Sequence, residues 1–408
     1  MHDTEHTILC ADIGTSSLKA ALIKSTGTVT AFSLQQFAPV RPEAAAGEWL
    51  KALCRAADEF SEKIGTACAL CISGNGPTMV SESGLTLRWN TALPKKAADT
   101  PLSDRGTDSL FLPRILAFRQ MFRDSWNSGG FLFSGPEYLI WQLTGNAVTI
   151  LPEARYLKAY WNDEELKRNS IPDWKLPPFV PPAFNAGLTR DEITAALRLP
   201  RQLPVFCGAP DFIVALIGTG TLKNGMLCDC AGSSEGLNLC TDRPVKDNGI
   251  RTLPSVVPDL WNAAVLFPES GKLFSDYKIR MEQSAGRKLS YDTLIAESVS
   301  DRESDGFRLM QTLALNVKKG LTILLEAAEQ NGIAVSPYMS ATGGQAKNSL
   351  WLQMKADITG YPIAVTTCPD SELTGDAAFA WKGLGFYGSV LEAAASLVKI
   401  TTVYEPHS

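Results

Sequence analysis

A glycine-turn hairpin that occurs twice constrains this chain more than any other feature. The first copy runs from Ile8 to Ile23 around the turn Gly14-Thr15-Ser16, and the second runs from Met226 to Cys240 around Gly232-Ser233-Ser234. Each copy has an apolar strand, a glycine followed by hydroxyl residues, and a second apolar strand. Such a turn offers backbone N–H groups and hydroxyls to an anion, usually a phosphate. One copy alone could be an ordinary hairpin with a polar tip. Two copies predict two similar domains that grip one polyphosphate.

Composition excludes several classes of protein. The chain has 408 residues, which predicts about two to three domains. It is 45% hydrophobic and 20% charged, so it can bury a full core. Its net charge of −5 argues against a nucleic-acid partner. No run approaches the roughly 18 apolar residues of a membrane span, and no signal peptide precedes the first strand. We therefore expect a cytoplasmic protein without a membrane partner.

Histidine usage narrows the chemistry further. The only three histidines are His2, His6 and His407, close to the ends of the chain. This placement argues against Ser-His-Asp catalysis, histidine-ligated zinc and histidine acid–base chemistry. Any general base is therefore expected to be a carboxylate.

One cysteine pair has two interpretations. Cys68 and Cys71 form a C-x-x-C, which could be a redox or zinc half-site. The surrounding run from Ala67 to Ser73 is typical of a buried strand, and no second pair with matching spacing follows. A structural role is the favoured interpretation.

Strands and helices alternate along the chain, which predicts α/β domains on mixed sheets. Residues 92–110 are expected to form a polar loop, and the proline-rich residues 170–204 are expected to cross the surface. A strand from Pro204 ends at the carboxylate of Asp211. Another strand, from Met339, runs into the turn Gly343-Gly344-Gln345-Ala346-Lys347-Asn348.

Together these turns resemble the phosphate-one, phosphate-two and adenosine motifs of the actin-like ATPase superfamily, and within it the FGGY carbohydrate kinases. Residues 136–145 are similar to that family's "YLxxxLTG" segment, residues 208–220 to its "GxxDxxxxxxGxG" stretch and residues 342–357 to its "GGxxxxxxWxQxxAD" block. The resemblance implies two ribonuclease H-like domains, each a mixed sheet flanked by helices, with the active site in the cleft between them. It divides the chain into a sugar-binding and phosphate-one domain, 1–222, and a nucleotide-binding domain, 223–408.

The resemblance also implies roles for individual residues. Asp211 would be the general base that takes a proton from the sugar hydroxyl, and Asp12 with Asp211 would lie beside Mg²⁺. The ATP site would comprise Gly14, Thr15, Ser16, Lys19, Gly232, Ser233, Ser234, Gly343, Gly344, Gln345 and Asn348, with the four hydroxyl residues on the phosphates and Gly343, Gly344 and Asn348 beside the adenosine. Alternatively, Asp12 and Asp211 only cap turns, where aspartate is common.

The sugar site departs from the family pattern. The "SGQxH" stretch of xylulose-type members is here Ser73-Gly74-Asn75-Gly76-Pro77, and their "WxDxR" motif is reduced to Trp89-Asn90-Thr91. Asn75, Gly76, Pro77, Trp89 and Asp211 are the predicted substrate contacts, with Asp104-Arg105 as candidate replacements for the lost charges. The family's "PYxxGERxP" segment is not recognisable between Lys272 and Phe307.

The leading functional hypothesis is an ATP- and Mg²⁺-dependent kinase for a small sugar or polyol, with xylulose as the default substrate. Closure of the cleft would exclude water that otherwise hydrolyses ATP. The alternative is a nucleotide-binding sugar sensor with little kinase activity, and a third hypothesis is an ATPase of the actin or chaperone type. The family resemblance also suggests a homodimer.

Overall fold

The computed structural model describes residues 5–93, 109–232, 234–246 and 249–407. Its internal contacts divide the chain into two units, Met1–Val214 with Glu372–Leu397, and Ala215–Ser371 with Val398–Ser408. Residues 372–397 therefore belong to the first unit, although they follow most of the second unit in the sequence. The division of functions between residues 1–222 and 223–408 stays a prediction. Ser233 and the Asp104-Arg105 pair lie outside the described ranges.

The first unit is built on a six-stranded mixed sheet with the order β10-β11-β4-β1-β2-β3. Strands β1, β2 and β3 are antiparallel, β1, β4 and β11 are parallel, and β10 is antiparallel to β11. A three-stranded sheet, β6-β5-β7, and a two-stranded sheet, β8-β9, complete the strands of this unit. The strands of the unit are β1 (Thr7–Ile13), β2 (Ser17–Lys24), β3 (Val29–Gln36), β4 (Ala67–Gly74), β5 (Met79–Ser81), β6 (Thr86–Leu87), β7 (Leu132–Phe133), β8 (Thr149–Ile150), β9 (Phe179–Val180), β10 (Asn185–Leu188) and β11 (Pro204–Pro210).

Helices of the first unit cover this sheet with apolar faces. Trp49, Leu53 and Phe60 recur at helical spacing on α1 and are buried against strand residues such as Leu9 and Leu22. Its helices, including α7, which crosses into the second unit, are α1 (Trp49–Phe60), α2 (Leu112–Met121), α3 (Arg123–Asn127), α4 (Glu137–Thr144), α5 (Asp163–Arg168), α6 (Asp191–Ala196) and α7 (Asp211–Gly218).

The second unit is built on a seven-stranded sheet with the order β14-β15-β13-β12-β16-β17-β18. Strands β12, β16 and β17 are parallel, and the other neighbours are antiparallel. The strands are β12 (Leu227–Ala231), β13 (Glu235–Thr241), β14 (Arg251–Pro254), β15 (Trp261–Phe267), β16 (Met339–Gly343), β17 (Ile363–Thr366) and β18 (Ile400–Tyr404).

A long helix supplies much of the core of the second unit. Leu321 and Leu324 of α10 are buried with Leu237 of the sheet and Leu352 of α11. Ser304 starts α10, because its hydroxyl accepts the N–H of Phe307. The remaining helices, of which α12 and α13 belong mainly to the first unit, are α8 (Ser270–Ala285), α9 (Tyr291–Ser300), α10 (Asp305–Gln330), α11 (Ser349–Thr359), α12 (Ser371–Gly383) and α13 (Val390–Leu397).

The structure confirms both predicted hairpins and corrects one expectation. Residues 170–204 are not only a surface crossing, because β9, β10 and α6 form there and β10 completes the edge of the first sheet. The 272–307 region that matched no family segment forms α8 and α9. Cys68 and Cys71 lie on β4, three residues apart, so they point to opposite faces of the strand and cannot share a ligand.

None of the helices in the described ranges combines the length and the unbroken apolar run that a bilayer crossing requires. The cytoplasmic location and the homodimer stay predictions.

Candidate active site

The first hairpin carries a buried carboxylate opposite a lysine. Asp12 lies near the end of β1 with 3% of its surface exposed, and the strand register pairs it with Lys19 of β2. The Lys19 ammonium is 3.5 Å from Asp12 Oδ2. The turn between them is closed by the N–H of Gly14, which donates to the carbonyl of Ser17 at 2.9 Å. Thr15 is half-buried and Ser16 is exposed, so the hydroxyl of Ser16 faces solvent.

Lys19 connects this hairpin to α12, an element that returns to the first unit late in the chain. Its ammonium is 3.4 Å from Glu372 Oε1, in the first turn of α12. The side chain of Lys19 is 19% exposed, and that of Glu372 is 14% exposed. The predicted ATP-site lysine is therefore already neutralised by two carboxylates of its own unit.

Asp211 lies where β11 ends and α7 begins, which confirms the predicted strand with a carboxylate at its tip. The side chain is half-buried, and its Oδ1 accepts the N–H of Phe212 at 2.7 Å. Burial raises the pKa of Asp211 to about 6; the nearby carboxylate of Glu372 adds to the rise, while the Phe212 N–H and the Lys19 ammonium oppose it. A carboxylate with this pKa is ionised at neutral pH and still basic enough to accept a proton.

Asp376 is an acidic residue of the same unit that the sequence analysis did not select. It is fully buried on α12, where Ser73 Oγ donates to its Oδ2 at 2.7 Å and Cys71 Sγ lies 3.7 Å from its Oδ1. Burial raises the pKa of Asp376 well above its ordinary value, despite the Ser73 hydrogen bond, and the charge of Asp12 raises it further. Burial therefore favours the protonated form of Asp376 over the charged one.

Gly208 makes the close approach of Asp376 possible. A Cβ at this position would lie 2.5 Å from Asp376 Oδ1 and 2.6 Å from the carbonyl oxygen of Ile72. The glycine that begins the "GxxDxxxxxxGxG" stretch is thus required by packing, since no side chain fits between β4, β11 and α12.

A small pocket joins the first hairpin to the predicted sugar loop. Among the described residues it is lined by Gly14, Thr15, Ala45, Trp49, Asn75, Thr78, Arg88 and Trp89. The indole N–H of Trp89 donates to Thr15 Oγ1 at 3.1 Å. Thr78 Oγ1 donates to Asn75 Oδ1 at 3.0 Å and accepts the backbone N–H of Trp89 at 3.1 Å. Two predicted substrate residues, Asn75 and Trp89, therefore share one pocket with a predicted phosphate residue.

The other predicted sugar-loop residues, Gly76 and Pro77, belong to the same loop but are not among those lining residues. Arg88, which the sequence analysis did not select, is half-buried and lines this pocket. Its signal in the sequence was its position directly before Trp89.

The turn of the second hairpin is one residue shorter than that of the first, since Ala231 pairs with Glu235 whereas Ile13 pairs with Leu18. The N–H of Gly232 donates to the carbonyl of Ser234 at 2.9 Å, and both residues are exposed. Ser233, the third predicted member of this turn, lies outside the described residues. The parts of the turn that the structure describes are open to solvent, as a phosphate-binding turn must be.

The predicted adenosine turn adjoins the second hairpin within the same unit. Gly343 ends β16 with a φ of 89°, and the strand register pairs it with Ala231. A Cβ on Gly343 would overlap the carbonyl oxygen of Ala231, so only glycine fits. Gly344 begins a short helical turn and is exposed.

Two predicted ATP-site residues make structural contacts. Asn348 caps α11, because its Oδ1 accepts the N–H of Trp351 at 3.0 Å, and its amide donates to Asp292 Oδ1 at 2.8 Å. Gln345 Oε1 accepts the indole N–H of Trp351 at 2.6 Å, while its buried Nε2 has no hydrogen-bond partner among the described residues. Their contact with a nucleotide stays a prediction.

The carboxylates of the first unit fit a magnesium ion that is held mainly by phosphates. Within the described residues, no group of three His, Cys, Asp or Glu side chains lies close enough to form a protein-only metal site. Asp12 and Asp211 end strands that are separated only by β4, so their backbones are about 10 Å apart. Magnesium usually takes one or two carboxylates and fills its other positions with water and substrate phosphates.

The comparisons with known proteins concern the family and the fold of the chain. Residues 303–383 match the model of the C-terminal domain of the FGGY family of carbohydrate kinases. A xylulose kinase from Staphylococcus epidermidis is 22% identical, over 99% of this chain and 93% of its own.

Two solved structures confirm the predicted fold class. The ligand-bound xylulose kinase from Lactobacillus acidophilus superposes with a TM-score of 0.76 at 14% identity, over 98% of this chain and 94% of its own. Plasmodium falciparum glycerol kinase with ADP superposes with a TM-score of 0.74 at 13% identity, over the same shares of the two chains. Residues 303–383 therefore match the C-terminal domain of the FGGY carbohydrate kinases, and the whole chain shares the fold of these two solved kinases.

Proposed function

We propose that this chain transfers the γ-phosphoryl group of ATP to a hydroxyl of a small sugar or polyol, with Asp211 as the general base. The observation that carries the proposal is the setting of Asp211. It stands at the tip of β11, in the electrostatic field of Lys19 and Glu372, with a pKa raised to about 6 by burial. A chain whose histidines are confined to its ends needs a carboxylate for this step.

The proposed reaction is an in-line displacement. The sugar hydroxyl gives its proton to Asp211 as its oxygen bonds to the γ-phosphorus, and the bond to the β,γ-bridging oxygen breaks to release ADP. Bound Mg²⁺ supplies neutralising charge on the β- and γ-phosphates. Thr15 and Ser16 of the first hairpin, with Ser233 and Ser234 of the second, donate hydrogen bonds to the phosphates, and Asp12 lies in the environment of the ion.

The sugar is proposed to occupy the pocket between the first hairpin and the sugar loop. Trp89 supplies a flat apolar surface, while Asn75 and Arg88 supply hydrogen-bonding groups for hydroxyls. The hydrogen bond from Trp89 to Thr15 keeps this pocket next to the turn that would hold the phosphates. A ketose such as xylulose is the first substrate to test.

The test is ADP release with Mg-ATP against pentuloses, hexuloses and polyols, in the natural protein and in Asp211→Asn. The matched control is Asp124→Asn, which changes an exposed aspartate of the same unit. We expect sugar-dependent turnover that Asp211→Asn lowers about 10²–10⁴-fold, the usual contribution of a general base, and that Asp124→Asn keeps.

Two results would favour the other hypotheses. ATP binding without any sugar that raises turnover would favour the nucleotide-binding sensor. Equal ATP turnover with and without sugar would favour an ATPase of the actin or chaperone type.

A further inference from the structure

A buried lysine lies beneath the second hairpin. Lys355 belongs to α11 and has 1% of its surface exposed. Its ammonium is 2.6 Å from Asp229 Oδ2 and also donates to Glu235 Oε1, and both carboxylates are equally buried. The neighbouring buried positions on α11 are apolar, among them Leu352 and Ala356, so a charged residue here is unexpected.

The two carboxylates stand on the two strands that frame the turn. Asp229 lies on β12, three residues before Gly232, and Glu235 begins β13 directly after Ser234. The register pairs Ala231 with Glu235, so Asp229 and Glu235 lie on one face of the sheet as diagonal neighbours. Two like charges this close repel each other, and the ammonium of Lys355 offsets that repulsion.

Further contacts fix the outer side of this group. The hydroxyl of Ser270, the first residue of α8, donates to Glu235 Oε2. Burial alone would lower the pKa of Lys355, but the carboxylates of Asp229 and Glu235 hold it above its ordinary value. Lys355 is therefore a permanent cation that connects both strands of the hairpin to α11.

Stability alone does not account for such a group. Removing three charges from water is costly, and well-packed apolar residues of similar volume are often equally stable or more so. The buried Asp229 Oδ1 adds to this cost, because it has no hydrogen-bond partner among the described residues. Unlike apolar packing, the ion group fixes the distance between the two strands at the positions of Asp229 and Glu235.

We infer that Lys355 is a positioning residue for the nucleotide: by holding Asp229 and Glu235 it fixes the positions of Gly232 and Ser234, and hence the contact of the second hairpin with the ATP phosphates. The inference rests on the proposed function, because it needs ATP at this turn. Lys355 does not contact the nucleotide in this account and acts only through the hairpin.

The test is direct binding of Mg-ATP, which requires no phosphoryl transfer, alongside the KM for the sugar. Lys355→Met is expected to raise the Kd for Mg-ATP about tenfold, comparable with losing one hydrogen bond to a charged group, and to leave the KM for the sugar unchanged. The matched control is Lys278→Met, which removes a lysine 2.6 Å from Glu282 on α8 of the same unit.

Two further variants separate positioning from stability. The variant with Lys355→Met, Asp229→Asn and Glu235→Gln contains no buried charge, so it keeps a near-natural melting temperature but still binds Mg-ATP about tenfold more weakly. Ser270→Ala, the mildest change, weakens binding by a few-fold. Natural ATP affinity in folded Lys355→Met, in the triple variant or in Ser270→Ala would overturn the inference. A natural protein that binds no Mg-ATP would instead overturn the proposed function.

Discussion

The two units of the chain share one sheet plan and place their lysines differently. In the order β3-β2-β1-β4-β11-β10 of the first unit, the first two pairs of neighbouring strands are antiparallel, the next two are parallel and the last is antiparallel. The order β15-β13-β12-β16-β17-β18 of the second unit has the same sequence of pairings. In both, the hairpin turn follows the strand that begins the parallel set. The repeated fold explains why the hairpin occurs twice in the sequence.

The charged groups beside the two turns differ in exposure. Lys19 lies on the hairpin itself and keeps 19% of its side chain exposed. Lys355 reaches its hairpin from a helix and is 1% exposed. We infer that the first unit presents its cation to the reacting groups, whereas the second uses its cation to hold the turn that binds them.

Lys19→Met tests the first half of this comparison and has the largest expected effect. The change leaves Asp12 and Glu372 without the ammonium that lies within 3.5 Å of both. Repulsion of the ATP phosphates then lowers kcat/KM about 100-fold, roughly 2.7 kcal/mol. Steady-state kinetics measure the effect, with Lys63→Met of the same unit as the control. Equal activity in both variants would contradict the inferred role of the Lys19 ammonium.

Asp376 extends the comparison to buried acids, because unlike Asp229 it has no lysine partner among the described residues. Asp376→Ala removes the acceptor of the Ser73 hydrogen bond and leaves a cavity, so we expect a loss of about 2–3 kcal/mol in the free energy of unfolding. Asp376→Asn keeps the size of the side chain and an oxygen that accepts from Ser73, so it is expected to cost less than half as much. Denaturant unfolding measures the free energy of unfolding of both variants. An asparagine variant as unstable as the alanine variant would show that the carboxyl is charged.

The pH dependence of catalysis follows from Asp211 of the first unit. Its raised pKa means that this proposed base loses its charge as the pH falls through about 6. The kcat/KM for the sugar is therefore expected to be level above this pH and to fall about tenfold per unit well below it. A profile of kcat/KM between pH 4.5 and 8, over the range in which the protein stays folded, tests this. A break near pH 4 would mean that Asp211 is not desolvated as described.

Arg88 places a cation in the pocket of the first unit, and its substitution has the smallest expected effect. Arg88→Gln is expected to raise the KM for the sugar about fivefold, since one hydrogen bond to a charged group is lost from an already polar pocket. ATP affinity and the melting temperature are expected to stay unchanged. Arg55→Gln, on α1 of the same unit, is the control, and a rise in the KM for ATP alone would move Arg88 to the phosphates.

The sequence predicted local features better than long-range ones. The hairpins, the strand that ends at Asp211 and the helix α10 follow from apolar periodicity and turn residues, which act over a few positions. Asp376 was overlooked because only the return of α12 to the first unit brings it to Ser73, which lies 303 positions away in the sequence. Its one local signal was a charged residue within a run of small apolar residues.

The buried group of the second unit was overlooked for a related reason. Lys355 is 126 positions from Asp229, and a lysine two positions before an aspartate on a helix usually indicates a solvated face. Likewise, Asn348 and Gln345 carry motif positions but contact Trp351, which the motif alone did not indicate.

The most direct test of the account is the fate of the γ-phosphoryl group. With γ-labelled Mg-ATP and the sugar that best stimulates turnover, the label should appear on the sugar in a one-to-one ratio to ADP, and Asp211→Asn should lose both products together. Label released as inorganic phosphate, at a rate that the sugar and Asp211→Asn leave unchanged, would contradict the assignment of a sugar kinase with Asp211 as its base.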